Sequence, residues 1–445
     1  PRHRGGMLLV ASYWFYMCWK PEFLVLIVFV TVVNWGAALR LHRARSSGAR
    51  KAWLAGAAVC SLGLLAVFKY LGFLARSAEA LAALLGGDLG VPVLDLALPV
   101  GISFFTFQAL AYTVDVYRRT LEPEPRLGTF ALFVAFFPQL VAGPIERSTN
   151  LLPQLRAHHG FDAEAVLQGL KRIAWGLFQK MAVADRLAQV VDPVYESPGA
   201  WDSPSLWGAT FLFSVQIYCD FAGYTSIAIG VARMMGIDLM ENFRRPWLAW
   251  NIQDFWRRWH ISLSTWFRDY VYIPLGGSRR SRWRVAWNVL LVFVLSGLWH
   301  GAAWTFVLWG LVHGAWLAVH TLLHPPGPAE ARSRTRRMAG SLATLAGVTL
   351  AWVLFRAKDP AAAWAVYRGM AGAGTGLRSL LETGQDLWIG VALVMVLFWK
   401  DLADERGASP LPRGPVPRLL AWVVLGAAFL LLADFGGVSF IYFQF

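Results

Sequence analysis

Val285-Ala-Trp-Asn-Val-Leu-Leu-Val-Phe-Val-Leu-Ser-Gly-Leu298, then Trp299-His300-Gly301, then Ala302-Ala-Trp-Thr-Phe-Val-Leu-Trp-Gly-Leu-Val-His-Gly-Ala-Trp-Leu-Ala-Val-His-Thr-Leu-Leu323: two apolar runs meet at a histidine set between tryptophan and glycine. Each run reads as a membrane span. An ionisable side chain at membrane depth is costly unless it lines a cavity or a substrate path, so its position alone makes His300 a functional-site candidate.

The same pattern extends along the chain. Hydrophobic residues make up 57% of the 445, mean hydropathy is +0.47 and only 15% of residues are charged, against about 25% in a soluble globular chain. Apolar runs recur at 23–39, 52–75, 98–116, 129–142, 206–217, 227–235, 342–355, 387–399 and 419–433. Several are shorter than the roughly 20 residues that cross a bilayer upright. These are expected as re-entrant or bundle-packed elements, because irregular backbone at membrane depth needs cover from protein or water. The expected fold is all-α, a polytopic transmembrane helical bundle of about 10–11 spans plus re-entrant or interfacial helices. Residues 1–445 read as one membrane domain. Met7 to Trp19 resembles the end of a first span, and the opening Pro1 leaves room for a segment upstream of this numbering.

A formal charge of +14, from 41 Lys+Arg and 27 Asp+Glu, would suggest a nucleic-acid partner in a soluble protein. Here the basic residues gather in short loops between apolar runs: Arg40 to Lys51, Arg118 to Arg126, Arg279 to Arg284 and Arg332 to Arg337. That is the positive-inside pattern, which places these loops in the cytoplasm and makes membrane lipid, not nucleic acid, the partner. Parity agrees at both ends: one span and its return, with an outer loop from Glu79 to Asp95, separate the first two basic loops, and the runs flanking His300 separate the last two. The crossing count between Arg126 and Arg279 stays open. Cys18, Cys60 and Cys219 lie in apolar segments without metal-like spacing and read as small core residues. The Pro/Gly/Arg stretch from His324 to Arg337 reads as a cytoplasmic linker. No polar stretch is long enough to bury a core of its own.

Polar chemistry concentrates between Glu241 and Arg284. Asn242-Phe-Arg-Arg-Pro-Trp247 and Asp254-Phe-Trp-Arg-Arg-Trp-His260-Ile-Ser-Leu-Ser264-Thr-Trp-Phe-Arg268-Asp269-Tyr270 are too polar to span and too apolar to float, a composition suited to an interfacial or re-entrant element. As one helix from Asp254 to Tyr270, the second stretch would carry Trp256, His260 and Ser264 on one face and pair Asp254 with Arg258. The plainer alternative is that Arg and Trp only anchor the element at the headgroups.

A neutral imidazole takes a proton from a hydroxyl near neutral pH, and burial favours the neutral form, so His300 suits a general base. Gly297 and Gly301 leave room for close approach of backbone or substrate. The competing reading is a core histidine satisfied by a carbonyl, which His313, His320 and His324 fit better. No H-x-x-E-H or comparable ligand spacing supports a metal, and Asp220 stands isolated in Tyr218-Cys-Asp-Phe-Ala-Gly-Tyr224. No G-x-S-x-G elbow supports a serine triad, and Leu275-Gly-Gly-Ser-Arg279 lacks the P-loop pattern.

The ordered series Asp220-Phe-Ala-Gly-Tyr224, Glu241-Asn-Phe-Arg-Arg-Pro-Trp247, Phe255-Trp-Arg-Arg-Trp-His-Ile-Ser-Leu-Ser-Thr-Trp-Phe-Arg-Asp-Tyr270, Ile273-Pro-Leu-Gly-Gly277, Gly297-Leu-Trp-His-Gly-Ala-Ala-Trp304 and Gly310-Leu-Val-His-Gly314 resembles the membrane-bound O-acyltransferase family, nearest its alginate O-acetyltransferase branch. Upstream, Pro99-Val-Gly-Ile-Ser-Phe-Phe-Thr-Phe-Gln108 and Phe137-Pro-Gln-Leu-Val-Ala-Gly-Pro-Ile145 also match, as do Trp352-Val-Leu-Phe-Arg356 and the terminal Phe440-Ile-Tyr-Phe-Gln-Phe445. The likeness covers nearly the whole chain.

The resemblance implies transfer of an acyl group, here acetyl from acetyl-CoA, from a cytoplasmic thioester to a hydroxyl beyond the membrane. It makes His300 the catalytic histidine and His260 the preceding polar position. With it comes a central tunnel open at both faces of the bundle, for which Trp299, Trp256 and Ser264 are the expected lining; guanidinium groups pair bidentately with phosphates, so Arg257, Arg258 and Arg268 are the expected contacts for donor phosphates. No bound cofactor or metal is implied. The expected partners are a polysaccharide acceptor or an extracytoplasmic acetyl-transfer protein, and the expected place is the bacterial inner membrane. The chain departs from the family's usual residues at Ala222 and Ser226, so that stretch receives no role. The alternatives are D-alanyl or other acyl transfer to a cell-wall polymer, and a transporter or flippase of a lipid-linked glycan, which would be expected to show repeat symmetry or paired half-helices.

Overall fold

The computed structural model describes residues 3–91, 96–141, 143–324, 333–373, 376–407, 414–434, 436 and 440. Among them the fold is all-α, with one isolated β-bridge between Trp201 and Arg378. Four helical stretches are long and apolar enough to cross a bilayer: Pro21–Arg43, Ser47–Leu84, Trp304–Leu323 and Thr335–Arg356. This is the fold of a helical membrane protein.

Several elements differ from their sequence reading. The run 129–142 is not one span, because the backbone breaks at Phe136 (φ −54°, ψ 107°) between helices Leu127–Ala135 and Phe137–Leu140. The runs 206–217 and 227–235 belong to a single helix, Ser203–Met234. Glu79, assigned to an outer loop, lies within helix Leu71–Leu84. Cys18 and Cys60 are exposed and only Cys219 is a core residue. Most of the linker expected between His324 and Arg337, and Ile441 to Phe445 of the terminal motif, lie outside the described residues.

Contacts divide the chain into two compact units. The first holds residues 1–173, 228–241 and 268–270. Its helices Leu24–Arg43, Ser47–Leu65 and Ile102–Tyr117 are tied by a buried amide: Asn34 donates to Ser61 Oγ at 2.9 Å and accepts from Thr113 Oγ1 at 2.8 Å. An apolar environment makes such a saturated bond costly to break. Glu124, 1% exposed, is fixed in the same unit by Arg156 and by its own backbone N–H, which donates to Tyr112 Oη at 2.8 Å.

The second unit holds residues 174–227, 242–267 and 271–445, and with them both candidate histidines. Helix Arg282–His300 turns at Gly301–Ala303 and returns as Trp304–Leu323. The two pack backbone against backbone. A Cβ on Gly310 would meet the Phe293 carbonyl and lie 3.1 Å from Val294 Cα, and one on Gly297 would lie 3.3 Å from Gly310 Cα. Gly297 therefore serves helix approach, and Gly301 makes room for the Phe306 ring. Elsewhere in this unit, a Cβ on Gly176 would come within 2.6 Å of the Gly223 carbonyl oxygen, the small-residue contact by which membrane helices pack closely.

Candidate functional site

His260 reaches the site through a broken helix. Helix Ile252–Arg258 begins at Asn251, whose side chain accepts from Asp254 N at 2.7 Å, and stops where Trp259 becomes extended. His260 then takes φ +42°, a left-handed conformation that costs a side-chain-bearing residue about 1–2 kcal/mol, and a second helix runs Ile261–Phe267. The continuous helix expected from Asp254 to Tyr270 does not form, so Trp256, His260 and Ser264 do not share a helical face.

The segment around Asn242 explains the break. In a continuous helix Ile261 N would donate to Arg257 O, and Arg258 O would accept from Ser262 N. Instead Ile261 N donates to Asn242 O at 2.9 Å, Arg258 O accepts from Arg244 N at 2.9 Å, and Ser262 N donates to Asn242 Oδ1 at 3.2 Å. The strap takes over the bonds that would have carried the helix through His260. Strain of this kind persists only where surrounding contacts over-determine it, and it concentrates at functional sites.

The same amide sets the histidine's tautomer. Asn242 Oδ1 accepts from the Ser262 backbone N–H and from Ser262 Oγ at 2.9 Å, so it is the oxygen; His260 Nδ1, 3.1 Å away, must donate to it. In the neutral ring the lone pair therefore belongs to Nε2, which is buried and has no hydrogen-bond partner among the described residues. His260 is fully buried, with Phe221 edge-on at 4.7 Å between ring centres.

His300 ends its helix at 5% exposure, and its ring centre lies 6.2 Å from that of His260. Trp299 stands beside both, 5.0 Å from His300 and 5.9 Å from His260. Trp309 at 5.1 Å and Phe355 at 5.3 Å complete an aromatic wall around His300. The structure thus brings His260, His300 and Trp299 together.

Other expected residues are placed differently. Trp256 packs on His313 (5.1 Å), Trp309 (5.8 Å) and Phe293 (4.8 Å). Ser264 donates to Trp259 O at 3.3 Å, so its hydroxyl is used locally. Arg258 pairs with Asp254 at 3.1 Å, as expected, and with Glu405 at 3.5 Å. Arg257 is exposed, and Arg268 pairs with Asp269 at 2.8 Å within the first unit. His313 is not satisfied by a carbonyl: it is fully buried and neither ring nitrogen has a partner among the described residues.

Asn242, Trp309, Trp352 and Phe355 carry this geometry without having been singled out for it. Asp220, read as isolated, is paired: Lys180 Nζ lies 2.7 Å from Asp220 and 2.6 Å from Asp185, all three buried. Lys180 sits in the wide turn Phe178–Ala184 that follows helix Ala163–Leu177. No group of three or more His, Cys, Asp or Glu side chains suited to a metal occurs among the described residues.

A buried pair of histidines, one in a locked tautomer, has the chemistry for proton transfer at a hydroxyl. The family model of the membrane-bound O-acyltransferases matches residues 9–339. The probable alginate O-acetylase AlgI of Azotobacter vinelandii is 38% identical over 401 residues, covering 89% of this chain and 78% of that protein. The peptidoglycan O-acetyltransferase of Helicobacter pylori is 35% identical over 391 residues, 82% of this chain and 73% of that protein. The teichoic acid D-alanyltransferase of Bacillus subtilis is 31% identical over 225 residues, 48% of this chain and 56% of that protein. The chain is an O-acyltransferase and belongs to the membrane-bound O-acyltransferase family.

Proposed function

We propose that this enzyme takes an acetyl group from acetyl-CoA at the cytoplasmic face of a bacterial inner membrane, which it crosses many times, and delivers it for O-acetylation of an extracytoplasmic polysaccharide, with a secreted acetyl-transfer protein as the intermediate acceptor. The observation that carries this reading is the juxtaposition of His260 and His300 in a buried aromatic setting. His300 is the general base. It takes the acceptor's hydroxyl proton as the oxygen attacks the thioester carbonyl carbon; the C–S bond then breaks and the leaving thiolate recovers the proton. General base catalysis of this type contributes about 10²–10⁴-fold.

His260 orients the acceptor: the reacting hydroxyl gives its one proton to His300, and the His260 Nε2 lone pair accepts a hydrogen bond from a second O–H or N–H of the acceptor beside it. Trp299 lines the approach. Of the three guanidiniums proposed for donor phosphates, Arg257 is the favoured one: it is exposed, and Arg258 and Arg268 already pair with carboxylates.

A polysaccharide acceptor is favoured by the length of chain shared with the alginate and peptidoglycan enzymes, against the half shared with the D-alanyltransferase. Reconstituted protein given acetyl-CoA labelled in the acetyl group should release CoA and move label to polysaccharide or to the partner. Label moved from a D-alanyl thioester, and none from acetyl-CoA, would replace acetyl by D-alanyl. Flux of a lipid-linked glycan without CoA release would replace the enzyme reading by a transporter.

A further inference from the structure

His313 and three tryptophans form a cluster whose hydrogen-bonding capacity is lopsided. His313 and Trp309 are 0% exposed, Trp352 is 1% and Trp256 is 9%. The rings touch: Trp309 lies 4.8 Å from His313, Trp256 lies 5.1 Å from it, and Trp309 stacks on Trp352 at 5.7 Å between centres. Both nitrogens of His313 and the indole Nε1 of each tryptophan have no hydrogen-bond partner among the described residues.

An indole only donates, and a neutral imidazole brings one donor and one acceptor. The cluster therefore holds four N–H donors and one acceptor. Whatever pairs form within it, at least three donors stay unmet, and buried groups of this kind are costly unless something pairs with them. A guest that corrects the imbalance brings acceptors and no donors. A carbonyl oxygen does that, whereas water brings as many donors as acceptors.

The cluster also adjoins the proposed chemistry, because Trp309 touches the His300 ring at 5.1 Å as well as His313. Further aromatic rings adjoin it: Phe293 lies 6.4 Å and Trp316 6.5 Å from His313, and Phe355 lies 5.1 Å from Trp352. Such a surface accepts the methyl of a short acyl chain and offers nothing to a charged one.

We propose that His313, Trp256, Trp309 and Trp352 form a carbonyl-binding subsite that holds the acyl group of the thioester donor beside His300. This rests on the acyl-transfer reading above. Donors on the carbonyl oxygen also stabilise the charge that develops there when the hydroxyl attacks. His313 is then a substrate-contacting residue and not a filler of the core.

The test compares two ligands that differ at one atom: acetyl-CoA, and S-ethyl-CoA, a thioether without the carbonyl oxygen. Equilibrium binding is measured on the full chain in detergent, for wild type, His313→Phe, Trp309→Phe and Trp352→Phe. Wild type should prefer acetyl-CoA about tenfold, the worth of one or two buried hydrogen bonds. Each variant should cut that preference to about threefold or less, while S-ethyl-CoA binding stays unchanged. Trp352→Phe, at a ring that stacks on Trp309 and lies 6.4 Å from His313, keeps the test open if His313→Phe misfolds. A preference that survives in every folded variant, or wild-type binding of both ligands alike, overturns the subsite and leaves the donor reading standing. Wild type that binds neither overturns the donor reading and the subsite together.

Discussion

Replacing Asn242 by alanine should damage the site more than the loss of one amide suggests. Asn242 Oδ1 accepts from His260 Nδ1, Ser262 N and Ser262 Oγ. The serine hydroxyl can rotate to another acceptor, but the Ser262 backbone N–H and the His260 ring cannot follow without moving the strained turn. Two rigid buried donors are left unmet at about 1–3 kcal/mol each, so the stability cost is about 2–6 kcal/mol. The His260 ring also loses the bond that selects its tautomer, and the lone pair no longer stays on Nε2. Asn242→Asp keeps every accepted bond but adds a carboxylate that stabilises an imidazolium, removing the lone pair from Nε2. Both variants should lose CoA release, Asn242→Ala with a lowered melting temperature and Asn242→Asp with activity recovered at higher pH. Thermal melting in detergent and CoA release from about pH 6 to about pH 9, a range that starts near the ordinary histidine pKa and runs above it, check this. An Asn242→Ala protein that melts with wild type and turns over within about twofold of it would refute the reasoning.

Two other substitutions test the frame around the site. Gly310→Ala places a Cβ against the Phe293 carbonyl, forcing apart the hairpin that carries His300; it should cost about 1–3 kcal/mol and lower turnover, read by melting temperature and CoA release. Lys180→Met leaves Asp185 and Asp220 buried without their shared cation, and should destabilise by about 3–5 kcal/mol; a melting temperature within about 1 °C of wild type would contradict the burial of this cluster.

The sequence exposed the membrane character through its apolar runs, and the resemblance picked out both histidines, which are 40 residues apart and nearly touch in the fold. Composition could not show where helices break. The Asp254–Arg258 pair formed because it depends only on a spacing of four residues, whereas the break at His260 has no local sign: no glycine or proline marks it, and its cause is a strap centred on Asn242, 18 residues away. Asp220 looked isolated for the same reason, since its partner Lys180 precedes it by 40 residues. Burial of His313 was legible from its apolar surroundings. Its lack of a partner was not, because that depends on which neighbours carry acceptors, and its neighbours are indoles that only donate.

The most direct test of the account is CoA release by His300→Ala beside wild type, each shown folded by its melting curve. The account predicts a fall of about 10²–10⁴-fold in release and in labelling of the acceptor, with acetyl-CoA binding retained. Equal turnover by the two proteins would contradict it and leave His300 a structural residue.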